Sequence, residues 1–228
     1  MFLDAPWRLG ETVASNGNAS AKPPDPLPSF ASFEGWHERL KGDRSAYAYL
    51  TGKRGLKDET IERSQLGYDG EAIVLPVFDG HGEIVSYRRR FWPHQTGPKI
   101  VGPRGHPARL YPGPPAAEAF VLAEGELDTL LALQHGLLAV TGTAGTAWRE
   151  EWDPFVRGRR IAIVYDAGAF AKAEKRAAAL VAAGAREAWP LDLAVAGLEH
   201  GEDLTDWFVK YGRTRAELAD LLNGARRA

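Results

Sequence analysis

Between Ala119 and Tyr211, short apolar runs alternate with amphipathic ones, and few folds accept that order. AFVLA, LLAVTG, RRIAIV and AREAWPL read as strands; ELDTLLALQ, AFAKAEKRAAALVAA and DLTDWFVKYG read as helices. Gly136 and Gly184 follow two of these helices at the position where a left-handed glycine closes a helix. On the second helix, Phe170, Ala173, Ala177, Leu180 and Val181 share one face. The alternation predicts an α/β fold, a Rossmann-like parallel sheet with helices on both faces. Ligands of such sheets sit at the carboxyl ends of the strands. Here those ends carry Glu124, the TGTAGT loop and Asp166.

The acids gather at the same edge. Glu124 ends one strand, Asp128 lies one helical turn on, Asp166 ends another strand, and Asp203 and Asp206 begin a late helix. Carboxylates from three parts of a chain that meet at one rim are what a hard divalent cation needs, Mg²⁺ or Mn²⁺. Each acid also has a plainer explanation. Asp166 can cap a helix, Asp203 with Asp206 can form a capping box, and Glu124, Glu126 and Asp128 complement a helix dipole. The chain has no cysteine, and its six histidines lack ligand spacing, so no zinc site is expected. TGTAGT lacks the lysine of a phosphate-binding P-loop.

The first half reads differently. Residues 1–29 form a flexible arm, with NGNASAKPPDPLPS too polar and proline-rich to pack. A smaller mixed α+β unit follows over residues 30–115. It has helical pieces broken at Gly42, a short helix capped by Asp58 and stopped at Gly67, and a hairpin around DGHG in which Pro76 marks an edge strand. The α/β unit covers 116–212, and 213–228 is a C-terminal helix or polar tail. A net charge of −2 hides a basic strip of Arg88, Arg89, Arg90, Lys99, Arg104 and Arg109, suited to a polyanion. Trp92, Trp148 and Trp152 can stack on bases, but core packing explains each better. No stretch has the ~20 apolar residues of a membrane span, and no secretory signal opens the chain. A cytoplasmic protein without a membrane partner is expected.

AEGELDTLLALQHGL, AVTGTAGTA and IVYDAGAFAKAEKRA together resemble the TOPRIM domain of primases, topoisomerases and some nucleases. The resemblance implies that Glu124, Asp128 and Asp166 are catalytic and that Glu124, Asp166 and Asp203 hold metal. Gly168 stands where the family carries the second aspartate of its Asp-x-Asp pair. Ahead of this region, Arg54-Gly55, Leu66-Gly67-Tyr68, Pro76, Asp79, Gly82, Arg88 to Arg90, Lys99 and Leu110-Tyr111 follow an order similar to primases of the bacterial DnaG and phage type. That likeness implies a DNA primase without the zinc-binding domain, making short RNA primers from ribonucleoside triphosphates on single-stranded DNA. Arg54, Arg88, Arg89, Arg90, Lys99 and Arg109 are then its nucleic-acid or nucleotide contacts. A replicative helicase or a separate template-recognition protein is the implied partner. A weakened TOPRIM protein that binds nucleic acid as a replication accessory, and a TOPRIM nuclease, remain the alternatives.

Overall fold

The computed structural model describes residues 23–93, 96–115, 117–145 and 147–227; most of the expected arm, residues 1–22, lies outside them, as does Thr146 of the TGTAGT loop. The described end of the arm is tied down. The Asp25 carboxylate pairs with Arg104 at 2.7 Å, and a His106 ring nitrogen lies 2.8 Å from the Asp25 carbonyl.

The first unit begins with α1, Phe30–Gly42, capped by Ser29, and α2, Arg44–Ala48, capped by Asp43. A wide helical turn over Tyr49–Lys53 leads to α3, Asp58–Arg63. Asp58 lies inside the first turn of α3 instead of capping it, because the cap position belongs to Lys57, whose side chain makes no capping bond. Gln65, at φ +47°, makes the left-handed turn that the sequence suggested for Gly67. Gly67 instead opens β1, Gly67–Tyr68, where its bare backbone passes Trp36: a Cβ there would stand 2.8 Å from Trp36 Cβ.

β2, Ala72–Phe78, and β3, Ile84–Phe91, form the expected antiparallel hairpin, extended by β4, Ile100–Val101. The order is β1-β2-β3-β4, so β2 is not an edge strand. Pro76 is tolerated there because β1 reaches only Ile73 and Val74, and leaves no partner opposite the missing N–H.

The second unit follows the predicted alternation: β5, Leu110–Tyr111; β6, Ala119–Ala123; α4, Glu126–Gln134; β7, Ala139–Gly142; β8, Arg160–Val164; α5, Phe170–Ala182; and β9, Glu187–Leu191. Its sheet order is β5-β7-β6-β8-β9, parallel except for β5. β6 and β8 are apolar almost throughout because helices cover both faces. On one face α4 packs Leu127, Leu130 and Leu131; on the other, α5 packs Ala173, Ala177 and Leu180. Val181, expected on that apolar face, is instead 50% exposed.

The last turn, Asp206–Lys210, is followed by α6, Arg215–Ala225, which carries a full Thr214/Glu217 capping box. Its Leu218 and Leu222 join a cluster that also contains Leu40, Leu50 and Leu56 of the first unit, so one apolar core runs through both units. Among the described residues, no helix is long and apolar enough to cross a membrane.

Candidate active site

Strand register sets the site. Ala123 on β6 lies opposite Val164 on β8, so Glu124 and Asp166 leave the sheet side by side at its carboxyl edge. The Asp166 backbone N–H donates to Glu124 Oε2 at 3.3 Å. From the next strand, Thr141 Oγ1 donates to the Glu124 carbonyl at 3.1 Å and fixes the turn that presents Glu124. Asp166 does not cap α5, which starts four residues later with Ala169 at its cap. The plain explanation for Asp166 therefore fails.

For Asp203 and Asp206 it holds. Each backbone N–H is accepted by the other's carboxylate, both at 3.1 Å, which is a capping box. The box occupies Asp203 Oδ1, while Oδ2 faces Arg54 Nη1 at 3.6 Å. Asp203 thus caps its helix and still presents an oxygen to the crevice.

Two residues outside the sequence reading complete the centre. Thr205 Oγ1 donates to Asp128 Oδ1 at 2.8 Å and accepts from Arg54 Nη1 at 3.5 Å. The Tyr49 hydroxyl accepts from Arg54 Nε at 2.9 Å and from Arg90 Nε at 2.8 Å, and its ring stacks on Trp92 at 3.9 Å. The basic strand thereby reaches the acidic edge. Within DLTD, Thr205 carried a signal that went unread, since a hydroxyl between two acids is placed to orient a third.

The electrostatics are those of a crowded anion site. Burial, then the charges of Glu124, Asp128, Asp203 and Asp206, push the Asp166 carboxyl up to about 7. Burial and the neighbouring Asp128 raise Asp203 to about 6, against the pull of the Asp206 N–H and Arg54. Burial also raises Asp128, opposed by the Thr205 hydroxyl and the charges of Arg54 and Arg90. Folding has confined more negative charge than these arginines neutralise.

Among the described residues, no three histidine or acidic side chains lie close enough to hold one cation between them. Even so, the donor set fits a hard divalent ion: carboxylate oxygens only, with Asp166 and Asp203 raised by burial and by neighbouring acids. A partial protein shell completed by substrate phosphates is the usual Mg²⁺ arrangement.

The basic strip is split. Arg88 and Arg90 share one strand face and Arg89 the other. Arg88 Nε pairs with the buried Glu126 at 3.0 Å, and Arg89 is held by Asp69 at 2.6 Å and Glu71 at 3.0 Å. Lys99 is exposed; Arg109 is half-buried, its Nε without a partner among the described residues. Of the arginines and lysine expected to contact nucleic acid, Arg54 and Arg90 are the two whose charges reach Asp128. Thr143 of the small-residue loop accepts the Arg109 N–H at 2.8 Å, which gives the loop a structural task. Trp152 is buried and Trp148 packs edge-on against it, as core residues do.

Arg88→Met is expected to leave Glu126 charged and unpaired in the interior. Urea unfolding should then show a loss of roughly 1–3 kcal/mol; unchanged stability would return Arg88 to the free phosphate contacts.

No family model matches the sequence, and no curated protein does. Solved structures do. The Aquifex aeolicus primase, its zinc-binding and RNA polymerase domains, superposes with a TM-score of 0.72 at 17% identity. The match covers 86% of this chain and 59% of that one. This chain has the fold of a DnaG-type primase catalytic core. A DNA primase domain from Pseudomonas aeruginosa gives 0.69 at 19% identity over 86% and 77% of the two chains, and the E. coli primase catalytic core gives 0.65 at 17% over 86% and 78%. The TOPRIM primase fold accounts for both the mixed sheet of the first unit and the parallel sheet of the second.

Proposed function

We propose that the chain is a primase-type nucleotidyltransferase that joins ribonucleotides on a single-stranded DNA template. One observation carries the reading. Glu124, Asp128, Asp166 and Asp203, from three parts of the chain, meet at a strand edge that Arg54 and Arg90 face across Tyr49, where burial and the neighbouring acids push Asp166 up to about 7 and Asp203 up to about 6. A related DnaG catalytic domain has been solved bound to single-stranded DNA, which supports a polynucleotide as this chain's template.

The residues divide the work by position. A bound Mg²⁺ or Mn²⁺ would supply charge neutralisation at the reacting phosphate and lower the pKa of the attacking 3′ hydroxyl. Glu124 and Asp166, side by side at the strand edge, would hold it together with substrate phosphate oxygens, Asp203 would serve from across the crevice, and Asp128, oriented by Thr205, would steady the second row of charge. Among the described residues Arg90 bonds Tyr49 through its Nε, so its terminal nitrogens can take triphosphate oxygens, while Arg54 braces Asp203. Trp92, flat on Tyr49 and beside Lys53, offers a face on which a base can rest.

The decisive experiment is primer synthesis on single-stranded DNA with labelled ribonucleotides and Mg²⁺ or Mn²⁺. Extension products that vanish in Glu124→Gln are expected. Gly168, which brings no second carboxylate to the turn, favours one other reading, a binding accessory; DNA binding without synthesis under either metal would establish it. Template cleavage without extension would point to a nuclease.

A further inference from the structure

At the amino ends of the same strands, on the edge opposite the carboxylates, a cavity of about 280 Å³ opens between Ala117, Glu118, Arg157, Arg159, Arg160 and Arg186. Four guanidinium groups face one carboxylate there, an excess of three positive charges. Folding collects them from three places. Ala117 and Glu118 precede β6, Arg157 to Arg160 lead into β8, and Arg186 leads into β9.

The loop that carries them is fixed by its backbone. Gly158 N–H donates to the Gly184 carbonyl at 2.8 Å, Arg160 N–H donates to the Glu118 carbonyl at 2.8 Å, and Arg157 pairs with Ala185. A Cβ on Gly184 would stand 3.2 Å from Arg157 Cγ, so the stem of Arg157 lies against bare glycine backbone. Arg159 Nη1 bonds the carbonyls of Pro115 and Ala117, which ties the cavity rim together. Burial holds the Arg159 guanidinium below the usual arginine pKa.

The charge is only partly offset inside the protein. Among the described residues, Arg157, Arg159, Arg160 and Arg186 form no ion pair. Glu187, the acid next to Arg186, feels Arg160 and Arg186, but its hydrogen bond goes to Arg226 Nε at 2.7 Å. Like charges gathered with too few counter-charges cost folding energy unless something outside the chain compensates them.

We propose that this cavity is a binding site for a phosphate-bearing anion of at least two negative charges, separate from the carboxylate centre. Guanidinium forks match phosphate oxygens in pairs, and a net excess of three charges asks for more than one anionic group. At about 280 Å³ the cavity admits phosphate groups but not a folded polymer. β6 and β8 run from this cavity to Glu124 and Asp166; five residues at ~3.3 Å each put the two sites about 16 Å apart. A ligand here does not touch the reacting atoms. Two sources share the chemistry: a free polyphosphate and the backbone of a nucleic-acid strand that wraps the domain.

The test uses the full chain in EDTA, so that no metal draws phosphate to the carboxylates. Inorganic tripolyphosphate is titrated by calorimetry, and a labelled single-stranded oligonucleotide by fluorescence anisotropy. Arg157→Ser/Arg186→Ser should weaken tripolyphosphate at least tenfold, while Arg44→Ser, at an exposed arginine of α2 outside both sites, leaves it unchanged. A tenfold loss for the oligonucleotide alone would assign the site to a nucleic-acid backbone and uphold it. If neither probe loses affinity in the double variant, or if the loss follows Arg44→Ser instead, the site does not exist. Arg186 is exposed, so Arg186→Ser alone, with a threefold loss expected, serves should the double variant unfold. Because no step requires synthesis, this result and the primer assay can fail separately.

Discussion

Asp166→Asn is expected to cut primer synthesis by roughly 10²–10³-fold and, in the same molecule, to raise the melting temperature of the metal-free protein by a few degrees. Both effects come from one cause. Burial, and then Glu124, Asp128, Asp203 and Asp206, disfavour the Asp166 anion and push its carboxyl up to about 7 from the ordinary 3.8. A folded pKa above the unfolded one gives a contribution that is complete below about pH 4 and is lost as pH rises through 7. The metal-free protein should therefore lose stability relative to Asp166→Asn as pH climbs from about 5 to about 8. Differential scanning calorimetry in EDTA at the two pH values checks this: the gap between variant and parent should be small at the lower pH and wide at the higher. Mg²⁺ added at the higher pH should raise the parent's melting temperature and barely move the variant's. A constant gap would mean that Asp166 sits in no shared field, and the carboxylate centre would lose its foundation.

The legible parts of this site were those that local pattern controls. A buried apolar run that ends in an acid places that acid at the sheet edge, whatever the partners, and this located Glu124 and Asp166. Glycine after an amphipathic run located the helix stops at Gly136 and Gly184, both with positive φ. The unread parts depend on contacts between residues distant in sequence. Arg88, Arg89 and Arg90 look alike as a string, yet Glu126, Asp69 and Tyr49 give each a different task. Pro76 suggested an edge because sequence shows the missing N–H but not that β1 stops after two residues. The double duty of Asp203, one oxygen on the capping box and one towards Arg54, needed both partners in place.

Gly168→Asp, which adds the carboxylate that the TOPRIM resemblance leads one to expect here, is expected to lower stability by roughly 1–3 kcal/mol and to leave synthesis no higher than in the parent. Gly168 has φ +88°, where an L residue is strained, and a Cβ there would stand 2.5 Å from His200 Cδ2. His200 is exposed and can swing away; the backbone cannot follow as easily. Ala167 N–H donates to the Glu202 carbonyl at 2.8 Å, Gly201 N–H donates to the Ala167 carbonyl at 2.8 Å, and Asp166 N–H is held by Glu124. Relaxing φ would break bonds on both sides of Asp166, so the added carboxylate is gained at the expense of the one already placed. Gly168→Asp/His200→Ala removes the clash and keeps the strain, so urea unfolding should recover only part of the loss. If Gly168→Asp instead switched synthesis on in a parent that bound DNA silently, the turn would have re-formed around metal. The chain would then be a binding protein one residue away from catalysis.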